Sequence, residues 1–492
     1  MAPSLRALGL AAALVACASP TPAADASHDA AADTDARAKD APDAPDETPC
    51  DGPARDALEP DDGCPLGYAG DGCAACAEGF VPREGRCSLA RDGEREAWPN
   101  DLSRANSDPW LVVHHPSLRV LRPRVLALNF VNRNEPDRAR GLLERITAAF
   151  REGSRFHGYE RPEALPQWDY ELLPVRDLRD GAKGRPGPPE AYPYENSTLY
   201  PRRMEGGRLV LDYARLFSED FAQHYGFPDE AGRPRTLCDL FERGDVNELW
   251  LVGSGDVASD AAAYEVLEYK QRYDARGNRV PGSFDPAAGN GSFDARVRPC
   301  RVSVRVGFVN YNRGPGCFLE SQAHGVESVG RRGVVPAFSR WFVPFAGFDL
   351  DARHGLPVRS FYDVQCTTRP CISYPAPDVL ELEHRGRRYR VEPYHAPCGN
   401  AHYPPNGVRD YDIQSTTEVL STCGGFGQRD RCGQEPAPVA LTHAAWRAYR
   451  ALAGDCDGPF LVWWFQSMPG HGSGRAHADG GPMLSPWPYL YY

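Results

Sequence analysis

The chain has 492 residues and a formal net charge of −12; Lys39, Lys183 and Lys270 are its lysines, and its other bases are arginines. No basic cluster stands out from that acidic balance, which argues against nucleic acid as a partner. Its 15 cysteines point to an oxidising compartment and to disulfides.

In chain order, Arg6 supplies a positive start, and Ala7 to Val15 form an apolar run too short to span a bilayer as a helix. This is the pattern of a signal peptide. It ends in Leu14-Val15-Ala16-Cys17, which resembles the lipobox of bacterial lipoproteins. The resemblance implies a signal peptide over 1–17 and lipidation of Cys17. Ala18, not Asp, follows, which by the same resemblance implies sorting to the outer membrane. A plain secretory signal with a chance cysteine is the alternative. Residues 18–48 are almost wholly Ala, Asp, Pro, Ser and Thr, the composition of a disordered spacer. The expectation is an exported protein whose membrane partner is reached through an N-terminal lipid.

A small cysteine-rich module is expected over 49–90. Its Cys64-Pro-Leu-Gly-Tyr-Ala-Gly-Asp-Gly-Cys73-Ala-Ala-Cys76-Ala-Glu-Gly-Phe stretch resembles a laminin-type EGF-like module, truncated relative to the six cysteines of a full unit. By that resemblance Cys64 pairs with Cys73, and Cys76 with Cys87. Cys50 is left over, a candidate for a bridge to the large domain. A zinc knuckle is the competing reading, and the lack of histidine among these cysteines weighs against it.

Residues 96–492 read as one α/β domain with a loop-rich C-terminal half. Val125 to Phe130 is a buried-strand run, and Leu142, Leu143, Ile146, Ala149 and Phe150 recur at helical spacing over Asp137 to Glu152. Tyr170 to Val175 reads as a second strand, Thr236 to Arg243 as a short helix, and Val246 to Val252 as another buried strand. A helix is expected over Ala261 to Arg272. Val302, Val304, Val306 and Phe308 alternate as a strand does. Strands alternating with helices predict a mainly parallel sheet with helices on both faces. Beyond Val335 regularity falls. A hairpin is expected over Val379–Val391 with its turn at Arg385-Gly386, and a helix over Thr442–Leu452. Cys366–Cys371 and Cys423–Cys432 are close enough in sequence for local disulfides in this irregular part.

The chemistry concentrates after the Val302–Phe308 strand. Gly314 and Gly316 permit φ > 0 at a tight turn, and Pro315 suits the first turn of a helix. On that helix Glu320, His324 and Glu327 fall on one stripe, placed by the spacing near the sheet edge where α/β proteins bind ligands. A more distant histidine, His402, lies in the loop from Cys398 to Asp412. The pattern Asn310-Tyr311-x-Arg313-Gly314, Leu319-Glu320-x3-His324-x2-Glu327-Ser328 and Cys398-Gly399-Asn400-x-His402-x2-Pro405-Asn406-x3-Asp410-Tyr411-Asp412 resembles a group of uncharacterised secreted bacterial proteins. That resemblance spans roughly Val125 to the C-terminus and implies no activity.

One reading makes His324, His402 and Glu320 the ligands of a divalent metal such as zinc, with Glu327 or Glu320 as the free carboxylate that activates water. The protein would then be a hydrolase, a peptidase or amidase. No HExxH motif or inversion of it is present. Two other readings compete: a helix face of i, i+4 pairs, and a metal-free acid–base site. The rival class is a non-enzymatic surface protein whose aromatic loops, Trp463-Trp464 among them, grip glycan or peptide.

Overall fold

The computed structural model describes the chain from 97 to 492 apart from 105–106, 132–135, 179–201, 206–207, 226, 254–260, 263–265, 275–277, 283–293, 365–369 and 431–432, together with short strands between 68 and 89. All of these residues belong to the compact unit Pro53–Tyr492. Cys17, Cys64 and Cys73 lie outside the described residues. So do the side chains of Cys76 and Cys87, whose backbones fall in strands Ala75–Cys76 and Arg86–Leu89.

The elements that build the core are β1 (Arg124–Asn129), α1 (Pro136–Gly153), β2 (Glu171–Leu172), β3 (Arg176–Asp177), β4 (Glu248–Gly253), β5 (Val266–Tyr269), β6 (Val304–Asn310), α2 (Pro315–Arg331), α3 (Pro336–Phe345), β7 (Ile372–Ala376), β8 (Val379–His384), β9 (Arg387–Val391) and α4 (Gly458–Gln466). The central sheet runs β5-β6-β4-β1-β2, with β3 also pairing with β1. Every pair is parallel except β5 with β6.

Alternation along the strands divides the side chains between two faces. Val125 and Ala127 of β1, with Trp250 and Val252 of β4, join the core under α1, α2, α3 and α4. Leu126, Leu128, Leu249 and Leu251 face a second core, closed by the shorter helices Tyr213–Leu216, Glu219–Tyr225 and Leu237–Glu242. Burial on both faces is why these strands read as continuous apolar runs. The Leu237–Glu242 helix starts from a Thr236–Asp239 capping box.

A third core, with Leu380, Leu382, Tyr394 and Val419 in it, lies under the antiparallel sheet β7-β8-β9. The β8–β9 turn has Arg385 at φ 50° and Gly386 at φ 76°, the left-handed pair of a two-residue hairpin.

Several expectations are corrected. The segment expected as a helix over Ala261–Arg272 instead holds β5, the antiparallel edge strand of the central sheet. Its Val266, Leu267 and Tyr269 satisfy their backbone groups against β6, and pairing overrides the helical pattern. The strand expected at Tyr170–Val175 is shortened to β2, and β3 follows just beyond it. The helix expected at Thr442–Leu452 is two 3-10 turns, His443–Ala445 and Arg447–Ala451. Trp463, Trp464 and Phe465 are not loop residues: all three are buried in α4.

Disulfides join Cys238 to Cys300, Cys317 to Cys456 and Cys398 to Cys423. The expected local pair Cys423–Cys432 is replaced, because the Val419–Ser421 strand runs beside Ala396 and carries Cys423 to Cys398. Cys366 of the other expected pair lies outside the described residues.

Candidate metal centre

Helix α2 begins at Pro315, with Gly314 as its N-cap. The N–H groups of Gly314 and Gly316 donate to Asp455 Oδ2 and Oδ1 at 2.7 and 2.9 Å. A carboxylate is favoured there by the unsatisfied amides and the helix dipole. The chain's own side chain thus fills the anion position at this helix start. Gly314 is not left-handed, with φ −96°, and a Cβ on Gly316 would lie 1.9 Å from the Asp455 carbonyl oxygen. These glycines serve close approach, and neither uses the positive φ that glycine permits. The Cys317–Cys456 disulfide fastens the same junction, so the nearby trio Cys317, Asp455 and Cys456 has no thiolates to offer an ion.

Phe318, Leu319, Ala323 and Val326 turn to the core. Glu320, His324 and Glu327 share the adjoining stripe, with His324 and Glu327 roughly 14 and 18 Å from the first residue of α2 at 1.5 Å per residue. The stripe therefore lies along the helix and not at the strand end the spacing suggested.

His402 meets this stripe. Its Nε2 is 2.9 Å from Nε2 of His324. The other nitrogen of each ring faces a carboxylate: His324 Nδ1 is 3.0 Å from Glu327 Oε2, and His402 Nδ1 is 3.0 Å from Asp410 Oδ1. Glu320 Oε1 lies 3.6 Å from His402 Nε2. One ligand atom from each of Glu320, His324 and His402 falls within 4.8 Å of the other two. Tyr411 covers the group. Its hydroxyl donates to Glu320 Oε1 at 2.7 Å and is 2.7 Å from His402 Nε2.

The return loop is held from several sides. Gly399 has φ 81°, and a Cβ there would lie 2.3 Å from the Tyr403 carbonyl oxygen. Trp464 Nε1 donates to the Gly399 carbonyl at 2.9 Å, and the Cys398–Cys423 disulfide closes the loop's base. Ala401 N–H donates to Glu327 Oε1 at 2.8 Å, and the Tyr362 hydroxyl donates to the same carboxylate at 3.2 Å. Glu327 is therefore engaged at both oxygens and is not a free carboxylate.

Burial pulls the His402 imidazole down, but Asp410 and Glu320 outweigh it and hold its pKa up at about 10. Burial alone would raise Glu320 and Glu327. His402 and Tyr411 hold Glu320 below the usual carboxylate value, and His324 with the Ala401 amide does the same for Glu327. Asp457 goes the other way: burial, then the charges of Glu320 and Asp410, raise it well above the ordinary range despite His402. Among the described residues, the charges that dominate at these carboxylates are one another and the two histidines, with no guanidinium or ammonium in the set.

Tyr362 and Asp457 gave no sequence signal of a site. Asp457, in Asp455-Cys456-Asp457-Gly458-Pro459, reads as an ordinary helix N-cap. Asp410 and Tyr411 were visible only as part of a motif. An acidic pocket with two imidazoles sharing a focus is the donor set of a divalent cation with mixed nitrogen and oxygen ligands. Comparison with known proteins finds no matching family model, no matching curated protein and no matching solved structure, so the reading of this site rests on its own geometry.

Proposed function

We propose that the large domain is a divalent-metal-dependent hydrolase, with His324 Nε2, His402 Nε2 and Glu320 as protein ligands and zinc as the first candidate ion. One observation carries this reading. His324 Nδ1 is hydrogen-bonded to Glu327 and His402 Nδ1 lies 3.0 Å from Asp410 as an ion pair, while both Nε2 atoms converge beside a third carboxylate, Glu320. A carboxylate behind each ligand histidine fixes ring orientation and tautomer and raises its basicity. Three protein ligands leave a position for water, which is how catalytic sites differ from closed structural ones. The ion, when bound, supplies an acidified water and polarises a carbonyl. Glu327 then orients His324 and is not a base; Glu320 is a ligand.

An amide or peptide bond is the proposed substrate class. The Tyr411 hydroxyl, which donates to Glu320 Oε1, orients that ligand at the mouth of the group. The rival reading, a glycan- or peptide-gripping surface, loses the Trp463 and Trp464 rings it relied on, since both are buried. Metal analysis of the purified protein tests the proposal. Near-stoichiometric zinc or another divalent ion is expected, lost in His324→Ala and in His402→Ala with folding retained. Unchanged metal content in both variants ends this reading.

The site is further proposed to work outside the cytoplasm, tethered through Cys17. The support is Leu14-Val15-Ala16-Cys17 and the spacer behind it. No helix among the described residues is long and apolar enough to cross a membrane. Cys17→Ser is expected to move the protein from the membrane to the soluble fraction; equal membrane retention refutes the anchor. The pairs Cys64–Cys73 and Cys76–Cys87 are proposed for the small module, and non-reduced peptide mapping checks them.

A further inference from the structure

Asp457 stands apart from the ligands. It is 2% exposed, and its Oδ2 has no hydrogen-bond partner among the described residues. A buried carboxylate oxygen with nothing to bond is costly, so its retention calls for a ligand. Asp457 acts electrostatically on the same small group: Glu320, His402, Asp410 and Tyr411. It does not belong to the trio whose ligand atoms lie within 4.8 Å of one another. It therefore stands outside the ligand set, at the start of α4 and next to the Cys456 that is bonded to α2.

Its placement is rigid. Asp457 is the N-cap of α4, with no side-chain capping bond of its own. Two residues earlier Asp455 caps α2, and one residue earlier Cys456 is bonded to Cys317 of α2. One residue later Gly458 packs so tightly on α2 that a Cβ there would lie 2.6 Å from Gly316 Cα. Cys317 and Glu320 are three apart on α2 and share a face. Fastenings at 455, 456 and 458 thus hold a carboxylate with an unbonded Oδ2 against the helix that carries two of the ligands.

The geometry points to Asp457 as the proton-transfer residue of the proposed hydrolysis, the carboxylate that takes a proton from the attacking water and returns it to the leaving amine. This rests on the metal-hydrolase reading. In the first step the water oxygen bonds to the amide carbon and its proton goes to Asp457 Oδ2. In the second the carbon–nitrogen bond breaks, its electron pair stays with nitrogen, and Asp457 gives that nitrogen the proton. The products are a carboxylic acid and an amine, and Asp457 ends as the carboxylate it began.

Cobalt(II) in the intact protein tests this without a known substrate. Asp457→Asn keeps the size and the capping ability of the side chain, so folding is expected to survive. The visible spectrum of the wild-type cobalt protein is expected to change with pH through an inflection that reports the carboxylate and the bound water together. Asp457→Asn is expected to keep cobalt with an affinity within about a hundredfold of wild type, as an outer-shell change does, and to move that inflection, since the bound water then titrates without the carboxylate. Asp457→Ser, which also caps, is expected to behave alike. An inflection unmoved in both variants overturns the proposal. So does a loss of cobalt affinity well beyond about a hundredfold, more than an outer-shell partner accounts for, which would make Asp457 a ligand. A wild-type protein that binds neither cobalt nor zinc removes the metal centre itself, and this role with it.

Discussion

Glu327 is fully surrounded: His324 on one oxygen, the Ala401 amide on the other, and the Tyr362 hydroxyl on both. Changing it to glutamine keeps the shape but sets an amide where an imidazole nitrogen needs an acceptor. Glu327→Gln is expected to weaken zinc binding by about 10–100-fold, the usual effect of losing an orienting partner, with a melting temperature close to wild type. Competition against a chelating dye measures it, and an unchanged affinity would mean that the carboxylate only packs. Tyr362→Phe removes one of several donors and is expected to shift affinity less than Glu327→Gln does.

At the scale of elements, the Cys317–Cys456 bridge joins the starts of α2 and α4 across 139 residues. A loop of that length gives a large entropic restraint on the unfolded chain. Replacing both cysteines by serine is expected to cost about 3–5 kcal/mol, read from urea unfolding. Much of the central sheet was legible because its strands are apolar on both faces and its helices periodic: Leu142, Leu143, Ile146 and Phe150 announce α1 on their own. The stripe Glu320, His324, Glu327 was legible for the same reason, since helical spacing can be read along the chain. What closes the site was not. The meeting of His402 with His324 depends on a loop held by Trp464 and Cys423, and Asp457 carries the local signature of a cap. β5 was misread because a short strand at a sheet edge is decided by its neighbour, β6, more than by its own residues.

At the scale of the whole molecule, the last residues are part of the core. Tyr489, Leu490 and Tyr491 are buried, and His115 lies 2.8 Å from both the Tyr492 hydroxyl and the Ser485 carbonyl. Burial, assisted by the nearby Lys270, lowers the His115 imidazole from 6.5 to about 3. The unfolded chain therefore binds the proton first as pH falls. Stability present above pH 6.5 is lost as pH drops toward 3, on the order of 5 kcal/mol from this group at about 1.4 kcal/mol per unit. His157, lowered to about 3 by burial with help from Arg475 and Arg161, adds a loss of the same sign. Urea midpoints measured between pH 7 and 4 are expected to fall steadily, and His115→Gln to flatten part of that slope. A wild-type midpoint constant over this range would refute it.

The clasp of Asp455 on the start of α2 has a consequence in time. The helix that carries Glu320 and His324 is finished at its first turn by a residue 139 positions downstream of Gly316. During synthesis or passage across a membrane, the histidines emerge long before the carboxylate and cysteine that seat their helix. Until the segment around 455–458 arrives, α2 begins with open amides, and the focus between His324 and His402 lacks the frame that spaces it. For the proposed metal centre, a chain still threading would then be a poor chelator. Cation capture would be the last event in maturation and would take place where folding is completed, so the ion acquired would be the one that compartment offers.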